Sequence, residues 1–352
     1  MQRTWCPDVF ASRYPYLLVR NQIKGALRSL FRTLSFEEVE TPALQASPGL
    51  EPHLEAFRTI LREPFGGQDH ELFLHTSPEY AMKKLLVAGV RRPFQFARVF
   101  RNEMFSPMHH PEFSMLEWYR TGEPWLALVE DCEAVLATAV GVLESAEGLL
   151  RSGEHKVPVT VPFERMSVAQ AFLLYVGIDI LESVDSEGRG IKGLLYHSAK
   201  NKGIHVSDKD TWSDLFFRIF VERIEQNLGV SRPLILYDWP APLAALARID
   251  PQDSRVALRF ELYVGGMELA NGFEELTDPA EHRKRFNSDQ ISRAALNKFV
   301  PPVDKDFLAA LDFGMPSASG IALGLDRLIM LVVGASSIED VLWLPVSTFE
   351  SS

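Results

Sequence analysis

Apolar positions Ile23, Leu27, Leu30 and Leu34 fall on one face of a 3.6-residue repeat, so the chain from Arg13 to Leu34 predicts an amphipathic helix. Phe36-Glu37-Glu38-Val39 then alternates with the period of a strand, and Thr41-Pro42 ends it. A short strand is predicted from Glu71 to Leu74. Thr76-Ser77-Pro78-Glu79 follows as a helix start, with Ser77 as cap, Pro78 in the first helical position and the helix running through Leu86. Two strands, from Phe94 to Glu103 and from Glu112 to Tyr119, flank the loop MFSPMHHP. Helical spacing resumes from Trp125 to about Leu150, and Ser167 and Asp210 are expected to cap two further helices ending near Gly177 and Gly229. The polar, glycine-rich stretch between Asp185 and Lys202 reads as a loop followed by a short helix. Strand patterns return from Pro233 to Tyr237, Val256 to Val264 and Met267 to Phe273, with Gly265-Gly266 as a two-residue hairpin turn between the last two. A small-residue strand from Ser319 to Gly324 runs into a helix at Leu325. Hairpin-joined strands with helices around them, and no repeat or linker, predict one α+β domain over residues 1–352 on a mainly antiparallel sheet.

Composition changes this picture little. With 46% hydrophobic and 24% charged residues the chain is ordinary globular material, which excludes a disordered or fibrous protein. Two cysteines, Cys6 and Cys132, build neither a disulfide framework nor a cysteine-rich zinc site. No leader pattern opens the sequence and no apolar run is long enough for a membrane span, so a cytoplasmic protein with no membrane contact is expected. Thirty-six basic against 47 acidic residues give a net charge of −11, which argues against a chain-wide basic surface for nucleic acid.

Gly188-Arg189-Gly190-Ile191-Lys192-Gly193 matches a dinucleotide fingerprint in letters only, because Asp185-Ser186-Glu187 stands where a buried strand is required. There is no P-loop, and His109-His110 lack the partner ligands of a zinc site. The informative block is Phe100-Arg101-Asn102-Glu103 with Pro111-Glu112-Phe113-Ser114-Met115-Leu116-Glu117-Trp118-Tyr119. Arg101 and Glu103 share one strand face, as do Phe113, Glu117 and Tyr119 on the next. Such a face suits a cleft floor: guanidinium for phosphate, ring for a base, carboxylates for an ammonium. About Gly265-Gly266, the hairpin register pairs Tyr263 with Glu268 and Glu261 with Ala270. That brings Glu261 and Glu268 within reach of a shared divalent cation or an arginine. Asn271, Phe273 and Glu275 have the opposite parity to Glu268, so a shared cleft requires a bulge, for which Gly272 is the natural place. In Gly320-Ile321-Ala322-Leu323-Gly324-Leu325-Asp326-Arg327, two glycines admit a ligand close to the backbone, and Arg327 sits in a first helical turn, an arrangement suited to a polyphosphate.

In order and spacing these three blocks resemble the signature motifs of class II aminoacyl-tRNA synthetases of the lysyl subgroup, over nearly the whole chain. The resemblance implies a synthetase catalytic domain that uses ATP and Mg2+ and forms a homodimer through the helix and strand between Arg13 and Pro42. It implies ATP contacts from Arg101, Glu103, His109, Phe113, Gly324 and Arg327, with magnesium held by Glu261 and Glu268. Arg101, Arg327 and Glu268 would carry the catalysis. Glu79, Glu117, Tyr119, Asn271, Phe273 and Glu275 would form the pocket for the amino acid.

Two features narrow the resemblance. The catalytic domain begins within the first dozen residues, leaving no room for the anticodon-binding barrel, and the lysyl pattern G-N-G-F is here Ala270-Asn271-Gly272-Phe273. Both are similar to the truncated lysyl-synthetase paralogues that attach (R)-β-lysine to elongation factor P. The runs Thr76-Ser-Pro-Glu-Tyr80, Met115-Leu-Glu-Trp-Tyr-Arg120 and Glu268-Leu-Ala-Asn-Gly-Phe273 carry the same likeness. The sequence departs from these paralogues at Ser106-Pro107 and His110, where they have Gly-Arg and Asn. The resemblance implies β-lysine and elongation factor P as substrates and no tRNA. On the hairpin register above, the Ala270 methyl is expected to crowd the α-amine position and favour the β-isomer. A stand-alone enzyme adenylating lysine or another amino acid, or a non-catalytic regulatory paralogue, are the alternative readings.

Overall fold

The computed structural model describes residues 4–103, 105–143 and 148–346. Pro7 pre-sets the φ of a first helical position, and α1 spans Pro7–Thr33, six residues earlier at its start than its apolar stripe indicates. The chain then runs β1 (Glu37–Glu38), β2 (Leu44–Gln45), β3 (Arg58–Leu61), β4 (His70–Leu74), α2 (Glu79–Val87), β5 (Pro93–Phe100), β6 (Glu112–Thr121) and α3 (Trp125–Val140). β7 (Leu149–Ser152), β8 (His155–Pro158), β9 (Glu164–Ser167), α4 (Val168–Val176), α5 (Lys192–Asn201) and α6 (Trp212–Ile219) follow. The last third holds β10 (Leu234–Pro240), β11 (Val256–Val264), β12 (Met267–Glu274), α7 (Pro279–Ala295), α8 (Lys305–Gly314), β13 (Ala318–Gly324) and α9 (Leu325–Val333).

Eight strands form the main sheet in the order β1-β5-β6-β13-β12-β11-β10-β9. The six inner strands pair antiparallel, and only the edge strands β1 and β9 join parallel. Side chains alternate along each strand, so the sheet has two unlike faces. One carries Phe94, Leu116, Trp118, Phe260, Leu262, Ile321 and Leu323, and packs with α1, α3 and α9 into the main core. The other carries Glu117, Tyr119, Gly320, Ala322, Asn271 and Glu261, a more polar set. Walls rise on that side from α2, α7 and α8, whose Tyr80, Phe286 and Phe307 pack together with Tyr119 from the sheet. A second core of α4, α5 and α6 closes the β9–β10 end.

Several elements differ from the sequence reading. β5 ends at Phe100, so Arg101 and Glu103 lie on the loop beyond it. α3 stops at Val140, and residues 149–152 form a strand; residues 144–147, inside the expected helix, lie outside the described residues. Thr211, not Asp210, caps α6 in a capping box with Asp214, while Asp210 takes Arg218. Ser77 accepts the Glu79 N–H at 3.1 Å, but Pro78 is the residue that precedes α2. The stretch from Gly188 to Ile191 is a polar loop that leads into α5 at Lys192: Arg189 pairs with Asp185, and a Cβ at Gly190 would strike the Trp212 ring at 2.5 Å.

A buried knot ties three distant segments. Arg20 of α1 donates to Asp326 in the first turn of α9, to the Val341 carbonyl (3.0 Å) and to Ser114 Oγ on β6 (2.8 Å). Asp326 Oδ2 also accepts the Ser114 N–H at 2.7 Å. Arg327 and Phe113 are the chain neighbours of the knotted residues on α9 and β6.

Candidate functional site

At the upper end of the polar face, Arg101 follows β5 directly, held in line by its N–H bond to the Pro111 carbonyl (2.9 Å). Its guanidinium lies 5.2 Å from the Phe113 ring centroid, and its buried Nε has no hydrogen-bond partner. Glu103, Glu268 and Glu51 pull on this cation, while Arg327 repels it. Two like charges facing one another, one with an unsatisfied donor, describe an anion cradle. Arg327 enters from α9, donating Nη1 to the Glu268 carbonyl (2.8 Å) and Nη2 to His109 Nε2 (3.0 Å). Burial and the nearby Arg327 hold the imidazole of His109 below its ordinary pKa. It is therefore neutral, accepts at Nε2 and donates from Nδ1 to Ser106 Oγ at 2.7 Å. Gly324 precedes α9, and a Cβ there would meet Arg327 only at 3.6 Å, so its openness is not sterically forced.

His110 points elsewhere. It is buried, accepts the Val346 N–H at Nε2 (3.1 Å), and donates from Nδ1 to the Glu112 carbonyl at 2.6 Å. Among the described residues no group of three or more His, Cys, Asp or Glu is placed to hold a metal ion.

The hairpin turns at Gly265-Gly266 as expected, both residues at positive φ (58° and 76°), the primed turn that matches strand twist. Tyr263 pairs with Glu268. Beyond that the expected register fails: Leu262 pairs with Ala270 and Glu261 with Asn271, so the extra residue is Leu269 and the bulge is not at Gly272. Gly272 is small for another reason, since a Cβ there would enter the Phe260 ring at 2.5 Å. The bulge turns Glu268 onto the polar face beside Glu261 and Tyr263. It also turns Ala270 to the other face, where its methyl packs in the main core opposite Leu262 and Leu323. Ala270 therefore lines no pocket, contrary to the sequence reading.

Glu261 is buried and fully engaged. Arg259 Nη2 (2.7 Å) and Asn271 Nδ2 (3.3 Å) donate to Oε1, and the Tyr263 hydroxyl (2.6 Å) donates to Oε2. Burial, with Glu268 nearby, raises its pKa to about 7. Glu225, beyond α6, is also pushed up by burial and by Glu268. Glu261 and Glu268 are hard oxygen donors of the kind magnesium takes, an ion that favours one or two carboxylates over a full protein cage.

Four residues along β6 from Phe113, roughly 13 Å at strand rise, the face changes character. Glu117 is buried and accepts from Ser77 Oγ (2.8 Å) and from the Tyr119 hydroxyl (2.6 Å). Burial and the neighbouring Glu79 raise its pKa to about 8. The fully buried ammonium of Lys83, one turn along α2 from Glu79, bridges Glu79 and Glu275, the latter at 2.6 Å. Desolvation opposes that charge, yet the two carboxylates win and raise the lysine above its ordinary value. Gly320 is compulsory here, because a Cβ would meet the Tyr119 ring at 2.2 Å and Glu275 Oε1 at 2.4 Å. Asn271 lies on the floor with a buried, unpartnered Oδ1, and Phe273 pairs with Gly320 beside it. Three carboxylates against one resident ammonium leave a deficit of positive charge, which a ligand amine would fill.

The structure thus groups Arg101, Glu103, His109, Phe113, Glu268 and Arg327 at one end, and Glu79, Glu117, Tyr119, Asn271, Phe273 and Glu275 at the other, with Glu261 joining them through its bond to Asn271. Sequence reasoning missed Ser77, Lys83 and Glu51. The spacing Glu79 to Lys83 was visible, but it has the form of a common exposed helix pair.

Residues 11–348 match the profile of tRNA synthetases class II (D, K and N). The elongation factor P--(R)-beta-lysine ligase of Klebsiella pneumoniae is 40% identical over 339 residues, 96% of each chain. That of Haemophilus ducreyi is 39% identical over 326 residues, 93% of this chain and 92% of the relative.

Proposed function

The chain belongs to the class II tRNA synthetase family, and from that premise we propose that it is an ATP-dependent ligase joining (R)-β-lysine to the ε-amine of a lysine on elongation factor P. The observation that carries this reading is the two-ended polar face. An arginine cradle with an aromatic wall stands at one end, and an excess of buried carboxylates about 13 Å away at the other. A diamino acid fits between them, its carboxylate toward Arg101 and its distal ammonium toward Glu117.

In the first step a carboxylate oxygen of the amino acid attacks the α-phosphorus of ATP, the bond to the bridging oxygen breaks, and pyrophosphate leaves. Arg101 and Arg327 oppose the charge that builds on the phosphate oxygens, and Phe113 stacks on the base. Glu103 and His109 fix the loop edge of the nucleotide site. Glu261 and Glu268 are the residues that would hold a magnesium ion, which would supply further charge neutralisation for the phosphates. In the second step the unprotonated acceptor amine attacks the acyl carbon, AMP leaves, and the amide nitrogen releases a proton to solvent. No side-chain nucleophile takes part.

The acceptor is a protein and not tRNA, a reading supported by the net charge of −11 and by similarity to ligases named for elongation factor P. The enzyme works in the cytoplasm, in keeping with its two free cysteines; among the described residues no helix is long and apolar enough to cross a membrane. It forms a homodimer across α1 and β1, where Tyr14 and Leu18 expose apolar side chains. The whole chain acts as one catalytic domain.

ATP–pyrophosphate exchange with (R)-β-lysine, L-lysine and no amino acid tests the first step. Isotopic transfer to elongation factor P or to tRNA tests the second. Exchange strongest with (R)-β-lysine and label on the protein are expected. Exchange with neither isomer, or label on tRNA in preference to the protein, would overturn the reading.

A further inference from the structure

Between the two ends of the site lies a carboxylate to which no role has been given. Glu51 sits on the segment joining β2 to β3, half-buried, and it borders both open clefts on this side of the molecule. The larger, about 180 Å³, also takes in Asn102 and Thr76; the smaller, a crevice of about 10 Å³, takes in Ser77 and Glu79. Glu51 shares the smaller cleft with Glu79 and the larger with Asn102, the chain neighbour of Arg101, so it stands between the amine end and the phosphate end.

The segment around it is built for a fixed position. Arg293 of α7, itself buried, donates Nη1 to the Glu51 carbonyl (2.7 Å) and the Leu54 carbonyl (2.8 Å), Nη2 to Glu55, and Nε to the Phe299 carbonyl. Lys298 adds a bond to the Pro52 carbonyl at 2.9 Å, and the Asn102 N–H, next to Arg101, donates to the Glu55 carbonyl at 2.8 Å. Gly49, at φ +110°, lets the carboxylate fold back: a Cβ there would lie 2.4 Å from Glu51 Oε2. The strap holds backbone atoms of Glu51, and the carboxylate, which folds back to accept the residue's own backbone N–H, keeps its remaining lone pairs for a ligand.

Resting on the function proposed above, we propose that Glu51 is a specificity-determining residue that, together with Glu79, receives the amine nearest the reacting carboxylate, the 3-amino group of (R)-β-lysine. The distal ammonium is already provided for by Glu117. An amine one or two carbons from the carboxylate falls near Arg101, where Glu51 is the carboxylate that reaches toward both Arg101 and Glu79. The Glu51 carboxyl has its pKa raised to about 7 by burial first and by Glu79 next, with Arg101 lowering it and Asp289 raising it. A cationic amine placed beside it would restore its charge.

The test compares (R)-β-lysine with 6-aminohexanoate, which keeps the carboxylate and the distal amine and lacks the 3-amino group. In ATP–pyrophosphate exchange, Glu51→Gln should lower the kcat/KM preference for (R)-β-lysine over 6-aminohexanoate by about 10- to 100-fold, as expected for losing a charged hydrogen bond. In the wild type the same preference should decline as pH falls below about 7. Groups reading the distal amine act on both substrates and cancel in the ratio. An unchanged ratio in Glu51→Gln, or an equal loss with both substrates, would overturn the assignment. The wild-type pH profile reads the same question without any variant. If the wild type fails to activate (R)-β-lysine at all, the proposed function fails, whatever Glu51 does.

Discussion

The two ends of the polar face solve the same problem, holding charge in a cleft, by opposite means. At the amine end the charged groups hold one another: Lys83 bridges Glu79 and Glu275, and Glu117 is fastened by Ser77 and Tyr119. At the phosphate end Arg101 keeps an unpartnered Nε, Glu103 and His109 are exposed, and Arg327 rests on a backbone carbonyl and a histidine. Desolvated, mutually bonded groups give selectivity and pH sensitivity, because their charge states depend on what occupies the pocket. Open cations with spare donors give rate, because their interactions are completed only by the reacting phosphates.

Breaking the amine end should therefore show first in stability. Lys83→Met leaves Glu79 and Glu275 without their cation, and a lost partner in a buried pair costs about 3–5 kcal/mol. Urea denaturation at pH 8, above the Glu275 pKa of about 7, should show that loss, and a smaller one at pH 6; a loss below about 1 kcal/mol would erase the contrast. Breaking the phosphate end should show in rate with the fold intact. Glu268→Gln is expected to slow pyrophosphate exchange on the order of 10²–10³-fold, as for other removals of electrostatic stabilisation, with an unshifted melting temperature.

A pH titration sharpens the comparison without a mutation. Glu117 and Glu51, raised to about 8 and about 7, must be ionised to hold ammonium groups. The KM for (R)-β-lysine should accordingly fall up to tenfold per unit as pH rises from 6 toward 8, while the KM for ATP changes little. For the free protein the sign reverses. Acids whose folded pKa is raised contribute stability fully present below their ordinary values near pH 4.5 and lost as pH rises through 7 to 8, so melting of the free protein should decline across that window. The smallest effect belongs to Ala270→Gly. Its methyl faces the core, so stability should drop by about 1 kcal/mol with the ratio of activity on (R)-β-lysine to L-lysine unmoved; a clear shift in that ratio would return Ala270 to the pocket.

What the sequence disclosed follows from what is locally encoded. Alternation and turn chemistry revealed β6, β11, β12 and the Gly265-Gly266 turn, and the need for a bulge followed from the parity clash between Glu268 and Asn271. The position of that bulge was not legible, because Leu269 is displaced by pairing on both sides of β12, a tertiary matter, while Gly272 looked special for its packing against Phe260. The site's acids and arginines stood out because such residues are odd on a strand. Lys83 did not, since a lysine four residues after a glutamate on a helix is usually solvated, and only α2's seat against Glu275 makes it a buried cation. Glu51 was hidden for a related reason: its loop has no periodicity, and the guanidinium that fixes it comes from a residue 242 positions away.

The knot formed by Arg20, Ser114 and Asp326 bears on how the protein comes into being. Arg20 is made among the first residues and Asp326 among the last, 306 positions later, with Val341 later still. Domains emerge from synthesis amino end first, and contacts this distant in sequence close late. Until the carboxyl-terminal helix docks, Phe113 and Arg327 have no shared anchor, and a nascent chain carries every residue of the amine pocket's first wall without a nucleotide site to go with it. On the proposed function, a chain terminated upstream of α9 lacks both Arg327 and the Asp326 anchor, and is expected neither to consume ATP nor to trap the amino acid as an adenylate.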